Sequence, residues 1–234
     1  MKDLFGKAMY DFQTNNAPED IITETSISEE DEMSVEYLFR SYNEMPKLEQ
    51  KTLQLTFGKT LDVGCGAGSH SLALQNDRNI EVTAIDISEK AIETCKLRGL
   101  KNIKVKNILD FEGEKFDTIL LLMNGTGIFG KLENCNQYLS KLKSLLNPGG
   151  QILIDSSDII YMFDEEEDGG KWIPSNDYYG ELTFTISYKG EKEEPFDWLY
   201  LDYNTLQNAA IANGLQCELI TEGEHYDYLA RLSI

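Results

Sequence analysis

Between residues 59 and 155 the chain alternates short apolar runs with stretches of helical periodicity. Residues 59–63, 81–86, 103–107, 116–122 and 151–155 are compact, β-branched or leucine-rich runs and predict strands. Residues 69–74, 89–97 and 131–146 space their apolar positions at three and four, which predicts helices between those strands. Strand–helix alternation of this kind builds βαβ units, and runs apolar on both faces belong to a parallel sheet covered on both sides. The last third changes period. Leu182, Phe184, Ile186 and Tyr188 alternate with Thr183, Thr185 and Ser187, and an aromatic run at 196–203 follows a polar connection, which predicts an antiparallel hairpin over about 180–203. A helix over 204–213 stops at Gly214, and runs at 215–220 and 226–232 predict two closing strands.

Ahead of this core, Leu4, Phe5, Ala8, Met9 and Phe12 give residues 1–14 the stripe of an amphipathic helix. Residues 15–28 are polar, carry Pro18 and read as a loop, whereas 35–57 read as mostly helical with a break at Pro46. The expected architecture is therefore α/β: a doubly wound, mostly parallel seven-stranded sheet with a closing antiparallel strand, N-terminal helices and an inserted hairpin. Residues 1–58 form an N-terminal helical extension, and 59–234 the main domain.

Composition narrows the partners. The 234 residues carry 41 acidic against 21 basic side chains, a net charge of −20. Such a field repels phosphate backbones and anionic lipid, so neither nucleic acid nor a membrane is the expected partner. The acidic runs at 28–32 (SEEDE) and 164–168 (DEEED) read as solvated loops. No run approaches the roughly 20 apolar residues that span a bilayer, and the N-terminus lacks the pattern of a secretory signal, so a cytoplasmic protein is expected. Cys65, Cys95, Cys135 and Cys217 are scattered, without a paired spacing and with only two histidines to join them; neither a metal site nor a disulfide framework is expected.

The densest chemical signal is Leu61-Asp62-Val63-Gly64-Cys65-Gly66-Ala67-Gly68-Ser69-His70, a strand end running through a glycine turn into a helix. Glycines let the backbone turn tightly and approach a ligand closely. Dinucleotide enzymes share such a turn, but here Ser69 stands where their third glycine or alanine belongs. Asp62, two residues before the first glycine, suits a ligand bearing an ammonium and fits poorly beside a pyrophosphate. Ala84-Ile85-Asp86 ends the next strand, 22 positions beyond Gly64, where a carboxylate accepts hydrogen bonds from ribose hydroxyls.

Residues 62–68 resemble motif I of the class I S-adenosylmethionine (SAM)-dependent methyltransferases, and Asp86 matches their ribose-binding acid. Asn107-Ile108-Leu109-Asp110-Phe111 resembles the segment that holds adenine, residues 116–122 their fourth strand, and Leu146-Asn147-Pro148-Gly149-Gly150 the turn before their fifth. The resemblance covers about residues 60–234. It implies a small-molecule methyltransferase that uses SAM and releases S-adenosylhomocysteine (SAH), with Asp62, Gly64, Cys65, Gly66, Gly68, Asp86, Ile87, Asp110, Phe111 and Asn124 at the cofactor. Methyl transfer is chiefly a matter of alignment and water exclusion, so no catalytic residue is assigned. Ligands of an open α/β sheet sit beyond the carboxyl ends of its strands. That places Asn124 and Asp155 near the acceptor, with Arg40, Tyr42 and His225 as further pocket candidates and residues 1–42 as a covering lid. A SAM-binding protein without transfer activity is the alternative.

Overall fold

The computed structural model describes residues 2–163 and 177–234; the acidic run at 164–168 lies outside them. In chain order the elements are α1 (Leu4–Thr14), β1 (Ile21–Thr25), β2 (Ser28–Met33), α2 (Lys47–Leu55), β3 (Thr60–Val63), α3 (Ser69–Asp77), β4 (Val82–Asp86), α4 (Glu89–Leu97), β5 (Asn102–Val105), β6 (Phe116–Leu121), α5 (Cys135–Ser144), β7 (Leu146–Ser157), β8 (Glu181–Tyr188), β9 (Glu191–Lys192), β10 (Phe196–Leu199), α6 (Tyr203–Ala212), β11 (Gln216–Glu222) and β12 (Asp227–Ser233). The main sheet runs β11-β12-β7-β6-β3-β4-β5. Its strands are parallel except β12, which is antiparallel to both neighbours.

Strand periodicity sorts the core into two layers. Ile119, Leu121, Ile152 and Ile154 face α5 and α6, packing with Leu139, Leu142, Leu206 and Ala210. Leu120, Leu122 and Leu153 point the other way, onto Leu48, Leu53 and Leu74 of α2 and α3. Both faces are thereby buried, as a parallel sheet requires. No described helix is long and apolar enough to cross a membrane.

The N-terminal stretch departs from expectation. Residues 15–28, read as loop, supply β1, and the acidic run 28–32 lies in β2 rather than in a solvated loop. Residues 35–57 are not one broken helix: they make 3-10 turns at Glu36–Phe39 and Tyr42–Glu44, then α2 directly after Pro46. β1 is held by backbone pairing to β8, with Ile22 opposite Ser187 and Thr25 opposite Phe184. Together they form a second antiparallel sheet, β10-β8-β1-β2, with β9 also paired to β8. β2 is an edge strand whose acids are exposed, a charged edge that resists pairing with another chain. The N-terminal extension and the inserted hairpin are thus one structural unit.

That unit seats α1 on the main domain. Leu4, Ala8, Ile21, Val35, Ile186 and Tyr188 form its core. Asp3 at the N-cap of α1 adopts a left-handed conformation and makes no side-chain cap. Glu193, buried and 190 residues away, caps the helix instead, accepting from the backbone N–H of Lys2 (2.5 Å), Asp3 (3.2 Å) and Leu4 (3.1 Å). Replacing Glu193 with Ala should cost roughly 1–2 kcal/mol in denaturant unfolding and speed proteolysis of α1. Unfolding and cleavage indistinguishable from the parent would remove Glu193 from that role.

Candidate active site

The glycine turn is fixed from beneath. Gly64 and Cys65 both donate backbone N–H bonds to the Ile85 carbonyl (2.9 and 3.0 Å), and Gly68 closes the turn onto the Cys65 carbonyl (2.8 Å). Gly66 sits at φ +52° and Gly68 at φ +81°, backbone conformations that favour glycine. A β-carbon at Gly68 would come within 2.6 Å of Leu100 and 2.9 Å of the Cys95 thiol, so close helix packing also demands glycine there. The Cys65 thiol touches that of Cys95 at 3.8 Å; this contact and burial raise its pKa, which leaves an inert packing thiol beneath the turn.

Two carboxylates flank the turn. Asp62 is buried at the end of β3 and accepts from Ser71 Oγ (2.6 Å); burial pushes its carboxyl up from the usual value. Asp86 accepts from the backbone N–H of Gly66 and of Ser88, each at 2.9 Å, and burial outweighs these bonds to raise it as well. Next to it Ile87 is 56% exposed, an apolar face offered to solvent beside that acid. Asp110 is exposed at the end of a 3-10 turn, where Asn107 Oδ1 caps Leu109 N–H. Phe111 is only 2% exposed and packs on Phe116 in the core, so it supports this loop from within. These residues fit SAM: open backbone at Gly64 and Gly66, a buried acid for an ammonium, a second acid for a diol and an apolar face for adenine.

Towards the carboxyl end of β7, Asp155 is buried beside Ser156 and holds an unusual turn. Its oxygens accept from the backbone N–H of Met123 (3.0 Å) and Gly125 (2.9 Å), across two successive left-handed residues, Met123 (φ 64°) and Asn124 (φ 60°). Strain of this kind is characteristic of functional turns. Burial pushes the Asp155 carboxyl up to about 6, against the two N–H bonds. Asn124 spends its amide internally, donating to the Leu199 carbonyl (3.2 Å) and accepting from Ser156 Oγ (2.9 Å) and Thr126 Oγ1 (3.2 Å). Its side chain therefore braces the turn, leaving only its backbone for a ligand.

The other pocket candidates are placed differently from one another. Arg40 is buried and committed: its guanidinium grips Glu49 through Nε (3.1 Å) and Nη2 (2.5 and 2.6 Å), and lies 4.1 Å over the Tyr37 ring. Tyr42 packs on the α2 side and takes a bond from Gln54 Nε2 (3.0 Å). His225 is exposed in the turn between β11 and β12. Burial raises the phenol of the half-exposed Tyr37, against the pull of Arg40 and with the carboxylates of Glu49, Asp155 and Asp227 adding to the rise. Burial followed by Tyr161 and Asp155 pushes Tyr200 up to about 12. Tyr161 stacks on Tyr226 at 4.7 Å, and the Tyr226 carbonyl accepts from Asp158 N–H (3.0 Å).

Glu49, Tyr37, Tyr161 and Tyr200 did not stand out in the sequence. Only Glu49 carried a signal, since it shares the buried stripe of α2 with Leu48, Thr52 and Leu53, where an acid needs partners. A separate cleft of about 580 Å³ opens among Phe12, Glu19, Glu32, Tyr188 and Lys189, on the small sheet and away from the glycine turn.

A carboxyl with a folded pKa above its unfolded value binds extra protons in the folded chain between the two values, and stability falls as pH rises through that window. For Asp155 the window runs from 3.8 to about 6. Unfolding free energies measured across it should show Asp155→Asn gaining on the parent by on the order of 3 kcal/mol as pH rises. Asp62 and Asp86 titrate in the same direction in both proteins, so the difference isolates Asp155. Parallel profiles would contradict the raised value.

A doubly wound sheet with a glycine turn, a buried acid beneath it and a second acid at the end of the neighbouring strand defines a SAM-binding methyltransferase site. The family model of the methyltransferase domain matches residues 58–207. A SAM-dependent methyltransferase from Bacteroides fragilis, solved in complex with SAH, is 47% identical over 100% of this chain and 95% of its own, with a TM-score of 0.92. The chain belongs to the class I SAM-dependent methyltransferases. The sugar N-methyltransferase KedS8 from Streptoalloteichus (14% identity, 86% of this chain and 92% of its own, TM-score 0.58) shares the fold. So does the amino pentose methyltransferase CalS10 from Micromonospora echinaspora (13%, 78% and 85%, TM-score 0.53). Among curated proteins, none matches this sequence.

Proposed function

We propose that this methyltransferase acts on a small molecule, and that the methylated atom is an amine nitrogen. The observation that carries the proposal is the surround of Asp155: a buried carboxylate, raised to about 6, with the phenols of Tyr37 and Tyr200 in its field. The Arg40 guanidinium that reaches this region is bound to Glu49, and so is the His70 ring. Aromatic faces and a carboxylate receive an ammonium, and offer an anionic acceptor no free counter-charge. The two distant neighbours named for sugar N- and amino pentose methylation share the fold alone; the amine assignment stands on Asp155 and its aromatic surround.

Bound SAM supplies an electrophilic methyl group on a sulfonium. The chain's own residues have three tasks. Asp155 and the tyrosines hold the acceptor as an ammonium, and Asp155, with its raised carboxyl, takes the proton that must leave before nitrogen can attack. Asp62 and Asp86 hold the two ends of the cofactor. The N-terminal unit excludes water: Met9 and Leu38 pack with Ala67 of the glycine turn, and Ser69 Oγ donates to the Leu38 carbonyl (2.7 Å). Residues 1–42 act here as the lid, with Tyr37 rather than Arg40 or Tyr42 as their contribution to the acceptor side.

The test is methyl transfer from radiolabelled SAM to a panel of small amines, their N-acetyl derivatives, phenols and carboxylates, with protein and transfer RNA alongside. Amines should accept label, and N-acetylation should reduce it at least about tenfold, the scale of a lost charge-assisted bond. Labelling of protein or RNA alone would overturn the small-molecule assignment. A preference for phenols or carboxylates would overturn the nitrogen.

A further inference from the structure

We infer that the acceptor is an arylalkylamine, its planar ring seated on a row of aromatic side chains that crosses β8 and β10. The inference rests on the amine reading above and narrows it to a substrate class. Phe184 stands opposite Phe196 in the β8–β10 register, and Trp198 lies two positions further along, opposite Leu182. Residues directly opposite share a face, as do residues two apart on one strand, so these rings line one side of the small sheet. Phe184 sits at the centre, with ring centroids 6.2 Å from Phe196, 6.1 Å from Trp198 and 6.4 Å from Tyr200. All four rings are half-buried. Phe196 also packs into the core beneath α1. Phe184, Trp198 and Tyr200 pack on one another and join none of the buried apolar cores among the described residues.

Hydrogen bonds join this row to the turn that Asp155 holds. The Leu199 carbonyl, between Trp198 and Tyr200, accepts from Asn124 Nδ2 (3.2 Å) and Thr126 Oγ1 (3.0 Å). The Trp198 indole lies on Gly127 of the same segment and occupies the place that a β-carbon there would need. At the other end of the row, the Tyr200 phenol stands in the field of Asp155 and of Tyr161. The aromatic row therefore runs up to the carboxylate proposed to hold the ammonium. Tyr161 and Tyr226, stacked on each other and 47% and 62% exposed, add an aromatic rim beside Tyr200.

Charge and polarity choose the occupant. A buried carboxylate at the end of an aromatic row matches a molecule that is cationic at one end and flat and apolar at the other. An amino sugar matches it poorly, because each desolvated hydroxyl needs a partner and one left unpaired costs roughly tenfold in affinity. The polar side chains at hand are spent: Ser156 Oγ pairs with Thr126 Oγ1 (2.7 Å) and Asn124 Oδ1 (2.9 Å). Thr183 and Thr185 alternate with Phe184 along β8 and so face away from the row. An aliphatic amine meets the carboxylate equally well but forgoes ring–ring contact, worth roughly three- to tenfold per pair. Phe184 and Trp198 are the specificity-determining residues in this arrangement.

Initial rates of methyl transfer from radiolabelled SAM to 2-phenylethylamine, n-hexylamine, glucosamine and 3-phenylpropionate test it, with SAH calorimetry alongside. The parent should favour 2-phenylethylamine over n-hexylamine and over glucosamine by about tenfold in kcat/KM. In Phe184→Leu and in Trp198→Leu the preference over n-hexylamine should fall within about twofold, with SAH bound as tightly as by the parent. A parent that favours n-hexylamine or glucosamine, or treats the three amines alike, would overturn this inference and leave the amine reading standing. Label on 3-phenylpropionate and on no amine would overturn both. Variants that bind SAH normally and keep the parent's preference would sink the inference alone. So would equal losses for every acceptor and for SAH, because the row would then only hold the small sheet together.

Discussion

A Gly66→Val protein is expected to fold and to lose SAM and SAH binding by roughly two orders of magnitude or more. Gly66 is held from both sides: its N–H donates to Asp86 (2.9 Å) and its carbonyl accepts from the Cys95 thiol (3.2 Å). The backbone therefore cannot rotate away from φ +52° to relieve a side chain. A β-carbon there meets only Met9 Sδ, at 3.7 Å, which is ordinary contact. The γ-methyls of valine extend further, into the space between the turn and α1 proposed here for the cofactor. A β-branched residue at positive φ costs on the order of 1–3 kcal/mol of stability, so a control for strain is needed. Gly99, at φ +92° with open space around it, provides one. Gly99→Val should destabilise comparably and bind SAH normally. If Gly66→Val stays folded and binds like the parent, the turn is not the floor of the cofactor site.

Asp86→Ala should weaken SAH at least about tenfold, corresponding to loss of a doubly bonded carboxylate worth 1.5–3 kcal/mol. A ribose-binding acid with no other duty would leave the ligand-free protein as stable as before. Here the same carboxylate also accepts from Gly66 N–H and Ser88 N–H, so it pins the glycine turn and the approach to α4. The variant should therefore lose ligand-free stability as well, by about 1 kcal/mol, because burial of the raised carboxyl already offsets part of what its bonds contribute. Asp86→Asn, which keeps one acceptor oxygen, should recover part of the stability and little of the affinity. Reduced stability with unchanged SAH affinity would make Asp86 a brace for the turn alone.

The sequence by itself determined the main sheet and the placement of the glycine turn beside its two acids. Continuous apolar runs such as residues 119–122 mark strands buried on both faces, and helix α4 ends where its spacing ends. The glycine turn was legible because its pattern is local. Asp62 to Gly68 are consecutive, and Asp86 ends the adjacent strand, so parallel pairing of Val63 with Ile85 brings the acids together. What the tertiary structure decided is everything that depends on a distant partner. β1 and β2 read as a polar loop because their own side chains carry little burial signal; backbone pairing of β1 to β8, more than 150 residues along the chain, and of β2 to β1 makes them strands. Arg40 looked free to face a ligand, yet a buried guanidinium must be compensated, and Glu49 from α2 does so. Asn124 sits at the right turn, but its polar atoms are claimed by Ser156 and the Leu199 carbonyl. Glu193 caps α1 from the far end of the chain, where no local motif announces it. Local periodicity fixes which face a residue shows, whereas satisfying buried polar groups is a three-dimensional condition, and it decided which candidates were free for ligands and which hold the protein together.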